Sequence, residues 1–218
     1  MDTAVRFIDA VLDPALKGAN RSFEPGTISA VVTAGEDVNA LLVRVLTGLT
    51  RLQEGQVLVL GHDLGLLSRD GLDAVRRRIG IVYPDGGLIS NLKVLENVTL
   101  PLLYHTGESS REIGKRAIAL LERFGCGEVL FELPGNLSAS RRRRAGFARA
   151  FALEPEVIVY HWREGGLDME ERELFLREAV AFHGEAPGRT TIFLIPHAGA
   201  LGGAGTFPIV HLTRGRFE

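Results

Sequence analysis

The chain has 218 residues, 45% of them hydrophobic and 24% charged, which suits one domain with apolar residues enough for a core. A formal net charge of −2 excludes bulk attraction to nucleic acid or to an anionic membrane surface, so any charge-driven contact must be local. The one cysteine, Cys126, excludes an internal disulfide framework, fits a reducing compartment and reads as a small core or loop residue.

The opening "MDTAVRFIDAV" has an early acid and no long apolar run, so it does not read as a signal peptide. No stretch approaches the ~20 apolar residues of a membrane span. A soluble, cytoplasmic chain is expected, with any membrane link made through another subunit. The first strand-like run is "TISAVV" (27–32), followed by the loop "TAGED" and the helix-like "ALLVRVLTGL" (40–49). A strand, a short loop and a helix is the arrangement that cradles phosphate, yet this loop carries Glu36 and Asp37 and no lysine. Further β-branched runs follow: "QVLVLG" (56–61), "RIGIVY" (78–83), "EVIVY" (156–160), "TTIFLI" (190–195) and "PIVHLT" (208–213). Near-continuous apolar runs alternating with helical stretches predict buried parallel strands and an α/β fold. From about Glu108 to Ala152 the pattern is helical instead. Ile113, Ala117, Leu120, Leu121 and Phe124 share one face, and Gly125 reads as a stop. In the next helix Ser138 or Ser140 is the candidate cap, and Ala145, Ala148, Phe151 and Ala152 form the inner stripe.

Several stretches in one order, "LISNLKVLENVTLPLLYHTG" (88–107), "LSASRRRRAGFARAFALEPEVIVY" (137–160), "GGLD" (165–168) and "PH" (196–197), resemble the nucleotide-binding domain of an ABC transporter. The phrasing is similar to the ATPase subunit of MCE-type (Mla-like) lipid transporters. The resemblance runs from about Phe7 to Arg214 and implies a P-loop α/β core, an N-terminal antiparallel β region and an α-helical subdomain at about 86–152, within one domain spanning 1–218. It also implies a working mode in which two such domains sandwich ATP and drive a membrane permease.

Each catalytic part of that family has a counterpart here, and most are changed. The phosphate-loop pattern G-x-x-x-x-G-K-[ST] falls on Thr33 to Ala40, with Thr33 and Val38 at the glycines, Asn39 at the lysine and Ala40 at the metal-binding hydroxyl. Glycines let backbone N–H groups converge on phosphate and lysine supplies charge; valine resists left-handed angles and the two acids repel a triphosphate. No aromatic residue lies between Ile8 and Phe23, where the family stacks adenine. The glutamine that reaches magnesium and water is Pro84. The signature reads "LSASR", keeping Ser138 but placing Ala139 and Ser140 at its glycines, with Arg141 next. The run Arg141 to Arg144 is expected to be a solvated face rather than a phosphate contact in trans. The magnesium aspartate is His161 and the catalytic glutamate is Trp162, and neither side chain can do the same work. His161 without partners at ligand spacing reads as packed, so no metal site is expected. Asp168 of "GGLD" and the switch histidine His197 persist, the first as a dimer-interface loop residue.

Loss is concentrated at the nucleotide, while the segment resembling the permease-docking groove, with Tyr83, Leu88, Leu92, Val94 and Leu95, is kept. The resulting expectation is a pseudo-ATPase: a structural or regulatory cassette subunit of an ABC transporter, on the cytoplasmic side of the inner membrane. Its expected partners are a permease, a second copy or an intact ATPase subunit, and an MCE-domain protein in the same complex. No cofactor is expected, except ATP and magnesium in an intact partner's site. The rival expectations are an active ATPase with an unusual loop and a free regulatory module. Glu36 and Asp37 should face solvent, or a basic side chain that holds the loop closed.

Overall fold

The computed structural model describes residues 3–163, 168–202 and 207–218. Chain order begins with β1 (Val5–Leu12), β2 (Leu16–Phe23), β3 (Ile28–Val32), α1 (Glu36–Leu46), β4 (Glu54–Val59), β5 (His62–Asp63), α2 (Arg69–Arg76) and β6 (Ile79–Val82). Three helices follow, α3 (Val94–His105), α4 (Ser110–Arg123) and α5 (Ala139–Phe151). The chain then returns through β7 (Val157–His161), α6 (Met169–Gly184), β8 (Thr190–Ile195), β9 (Ile209–Thr213) and β10 (Arg216–Phe217).

Two sheets divide the strands. A four-stranded antiparallel sheet runs β2-β1-β4-β5, and a six-stranded sheet runs β10-β9-β3-β8-β7-β6 with parallel pairing from β9 through β6. All described residues of β7 and β8 are buried, which is why they read as unbroken apolar runs. One expected core strand belongs elsewhere: "QVLVLG" becomes β4 of the antiparallel sheet, paired with β1. Its first three residues are exposed, so half of it faces water, a state that antiparallel strands tolerate and central parallel strands do not.

Of the helices between β6 and β7, α5 packs on one face of the large sheet, against β6 and β7, and α3 and α4 pack on α5. The expected inner face of α4 is buried at Ile113, Ala117, Leu121 and Phe124, with Leu120 half-buried. Gly125 ends that helix at φ 66°, a left-handed angle that spares the strain of a Cβ. On α5 the expected stripe Ala145, Ala148, Phe151 and Ala152 is buried, and Phe147 adds to it. Phe147 stacks on Phe175 at 4.9 Å between ring centroids, and Tyr160 on Phe193 at 4.6 Å, tying α5, α6, β7 and β8 together. Cys126 is buried in this core, as expected. A second core lies between the antiparallel sheet, α1 and the other face of the large sheet.

Candidate functional site

Parallel register gathers the carboxyl ends of four strands. Val32 pairs with Ile195, His161 with Leu194 and Val82 with Tyr160. The Thr33 N–H donates to the Ile195 carbonyl and the Trp162 N–H to the Leu194 carbonyl, both at 3.0 Å. Thr33, Pro84, His161, Trp162 and His197 therefore reach one sheet edge, the place where open α/β sheets bind ligands.

The loop after β3 is filled from within. The Thr33 hydroxyl donates to Asn39 Oδ1 at 2.5 Å, and Asn39 is 1% exposed, so the side chain at the expected lysine position is turned into the fold. Gly35 opens α1 at φ 145°, ψ −177°. Glu36 and Asp37 lie in the first turn of α1, where carboxylates complement the positive end of the helix dipole. Glu36 Oε2 lies 3.6 Å from Arg163 Nη1, so one of the two acids does meet a basic side chain of this chain. Both members are half-exposed, so the pair contributes only about 0–1 kcal/mol. Asp37 faces solvent, Val38 is half-buried and Ala40 is exposed. Phe23, at the end of the expected adenine platform, is buried edge-on against Phe217.

At the end of β7, His161 and Trp162 are buried, and their Nε2 and Nε1 atoms have no hydrogen-bond partner among the described residues. Together with Pro84 and Arg143 they line a gap of about 30 Å³, room for roughly one water. Burial pushes the His161 imidazole below its usual pKa; Glu36 and Asp85 pull it up and Arg163 pushes it down. No group of three His, Cys, Asp or Glu among the described residues could hold a metal ion.

The arginine run departs from expectation. Arg143 is not solvated: it is 6% exposed, and its Nε donates to the Pro84 carbonyl. Burial and repulsion by Arg163 lower its pKa, and it remains charged at neutral pH. One and a half turns on, Arg149 donates to the Gly87 carbonyl. Between them α5 meets the 84–87 loop backbone to backbone: a Cβ on Gly146 would lie 2.4 Å from the Gly86 carbonyl oxygen. A signal for this existed, since Arg143 lies four and eight residues before Phe147 and Phe151, on the inner stripe.

Other expected positions have plainer local roles. Ser138 caps α5 by accepting from the Arg141 N–H at 3.3 Å, which settles the choice between Ser138 and Ser140 as cap. Ser138 and Arg141 are exposed and Ser140 half-buried, and none of the three lines the gap beside His161. Asp168 caps α6, accepting from the Glu171 N–H at 2.8 Å; the rest of "GGLD" lies outside the described residues. His197 is exposed just after β8.

In the expected docking segment, Tyr83 is exposed and Leu88, Leu92 and Leu95 are half-buried. Val94 is a correction: at 0% exposure it supports the segment from beneath and offers nothing to a partner. Sequence reading also passed over Asn97. It is fully buried, donates to the carbonyls of Ile89, Leu92 and Lys93, and accepts from the Ile89 N–H at 2.7 Å, which staples the segment onto α3.

A family model described as "ABC transporter" matches residues 40–160, over half of the chain. The chain belongs to the ABC transporter family. It is 34% identical to the methionine import ATP-binding protein MetN of Caulobacter vibrioides, over 84% of this chain and 54% of that protein. It is 31% identical to the cell division ATP-binding protein FtsE of Haemophilus influenzae, over 72% of each. The chain thus spans about half the length of the MetN relatives it matches. Among solved structures, a dimeric ATP-binding cassette in a post-hydrolysis state with ADP and Pi bound superposes at a TM-score of 0.85 and 26% identity, over 98% of this chain and 96% of that one. The cbiO1 protein of Clostridium perfringens, described as part of the ABC transporter complex cbiONQ, matches in fold at a TM-score of 0.83 and 22% identity, over 100% and 88% of the two chains. The fold is the α/β ABC ATPase fold, with its antiparallel N-terminal sheet and helical subdomain. These named relatives serve methionine import and cell division, not the lipid transport expected from sequence phrasing.

Proposed function

We propose that this chain is an ABC cassette subunit whose own nucleotide site is degenerate, and that it serves a structural or regulatory role beside a membrane permease. The observation that carries the reading is Asn39. At the position where the family places lysine, a buried neutral side chain is bonded to Thr33, and two carboxylates stand in the first helical turn next to it. The donor set supports this reading: Asn39 stands where the lysine would be, His161 and Trp162 stand where acids would be, and the nearby Arg163 is paired with Glu36. Fixed carboxylates facing a triphosphate oppose its binding.

A second reading, an active ATPase with unusual motifs, draws support from the relatives. MetN and FtsE are both named ATP-binding proteins, and the superposed dimeric cassette holds ADP and Pi. Calorimetry of the purified chain with ATP and magnesium separates the two. The degenerate reading expects no heat of binding up to millimolar ATP; micromolar affinity establishes the active reading instead.

The permease partnership rests on family membership and on the description of cbiO1 as part of a transporter complex. No helix among the described residues is long and apolar enough to cross a membrane, so in this reading the membrane is reached through that partner, from the cytoplasmic side. Pairing with an intact ATPase subunit would let the Ser138 helix terminus face the partner's nucleotide; pairing with itself would leave neither site complete. Residues 83–95 are the proposed docking segment and 86–152 the proposed helical subdomain. A free regulatory module is distinguished by co-purification without a permease. The lipid-transport reading and its MCE-domain partner have no support from the named relatives.

A further inference from the structure

We infer that the gap at the end of β7 is a binding site for one monoatomic anion, a halide. Here the chain places two polar rings in succession, His161 and Trp162, and the fold leaves them only 8% and 6% exposed. Their Nε2 and Nε1 atoms are buried without a hydrogen-bond partner among the described residues, a costly state that a bound ligand relieves. Both residues line the gap of about 30 Å³, together with Arg143 and Arg163. That volume admits one water or one ion of similar size. It excludes a phosphate or a carboxylate compound, so this is a site for a different ligand class from a nucleotide.

The lining chemistry sets the sign of the ion. Indole and guanidinium N–H groups only donate, and the imidazole donates as well in its Nε2–H form. No carboxylate among the described residues lines the gap. One acceptor at its wall, the Pro84 carbonyl, already takes the Arg143 Nε–H. Two acids stand nearby, outside the lining, and each is engaged: Glu36 with Arg163, and Asp85 with the Gly87 N–H at 3.1 Å. A cation in the gap would therefore meet donors and positive charge, whereas an anion meets groups that complement it. Val82, Phe147 and Phe175 supply apolar walls, and charge interactions are stronger where water is excluded. A single water is the alternative occupant, accepting from Trp162 and donating to His161.

Trp162 is the chain's one tryptophan, so intrinsic fluorescence reads the gap directly. The full chain is titrated with sodium bromide in place of sodium gluconate at fixed ionic strength and without nucleotide, which keeps the result separate from the ATP calorimetry. Bromide, a heavy-atom quencher, is expected to quench along a saturating curve that chloride shifts by competition. Quenching that rises linearly, or none at all, overturns the inference and leaves the gap to water. His161→Phe keeps a ring and removes its nitrogens, and Arg163→Glu reverses a lining charge; each should weaken bromide by at least about tenfold. Unchanged affinity in both variants also overturns it. Trp162→Phe is read by thermal midpoint instead: chloride in place of gluconate should raise the midpoint of the parent chain and not that of the variant. An equal rise in both is a general salt effect and counts against the site. Should the variants fail to fold, crystals of the parent chain soaked in bromide decide. An anomalous bromine peak beside Trp162 Nε1 supports the anion site, and an ordered water there refutes it.

Discussion

Replacing Gly146 by alanine tests the contact that fixes α5 to the 84–87 loop. The added Cβ would stand 2.4 Å from the Gly86 carbonyl oxygen and 2.6 Å from the Gly86 Cα, both backbone atoms that cannot rotate away. Forcing extra volume into such a contact costs about 1–3 kcal/mol. Alanine also gains about 1 kcal/mol of helix propensity over glycine, which masks part of that cost. Gly114 supplies the control. It lies inside α4, and a Cβ there meets nothing within 4 Å, so Gly114→Ala carries the helix gain alone. The difference between the two variants therefore isolates the clash, and Gly146→Ala should be less stable than Gly114→Ala by about 1–3 kcal/mol. Urea denaturation at equilibrium measures both, provided the slopes agree with that of the parent chain. Equal midpoints would mean that α5 does not approach the loop this closely, and the arginine contacts to Pro84 and Gly87 would fall with it.

Other outcomes follow from single groups. Asn97→Ala strands the Ile89 N–H and the Leu92 carbonyl, while the Ile89 and Lys93 carbonyls keep backbone donors, and should cost about 2 kcal/mol in the same denaturation assay; a loss under half of that would remove Asn97 as the staple of the proposed docking segment. His161 and His183 are both held below the usual imidazole value, chiefly by burial. The unfolded chain, with imidazoles near about 6.5, then takes up more protons as pH falls, so stability is full above that value and declines through it toward the folded ones. Thermal midpoints between about pH 7.5 and 5.5 should show this decline, and a His161→Gln, His183→Gln double variant should flatten it; an unchanged slope refutes the assignment. Burial also raises the pKa of the Cys126 thiol, so the native chain should resist a disulfide reagent that the urea-unfolded chain consumes quickly. Fast modification of the native chain would contradict its place in the core.

Strand and helix identity was largely written in local pattern. Buried parallel strands such as β7 and β8 must be apolar on both faces, so their runs are legible one by one. The stripe on α5 follows from helical periodicity alone, and the order of motifs was enough to reach the family. The absence of a lysine between Thr33 and Ala40, on which the proposed degenerate site rests, was legible in the same way, because side-chain chemistry is a property of the residue itself. What only the tertiary structure decided is where polar side chains find partners distant in sequence. Arg143 reads as one of four solvated arginines until the Pro84 carbonyl, 59 residues earlier, is brought to it. Glu36 gains Arg163 only because the parallel register sets the β7 end beside the first turn of α1. Local sequence fixes periodicity and side-chain chemistry; the partner that lets a buried charge stay buried is chosen by sheet order and register, which depend on the whole chain.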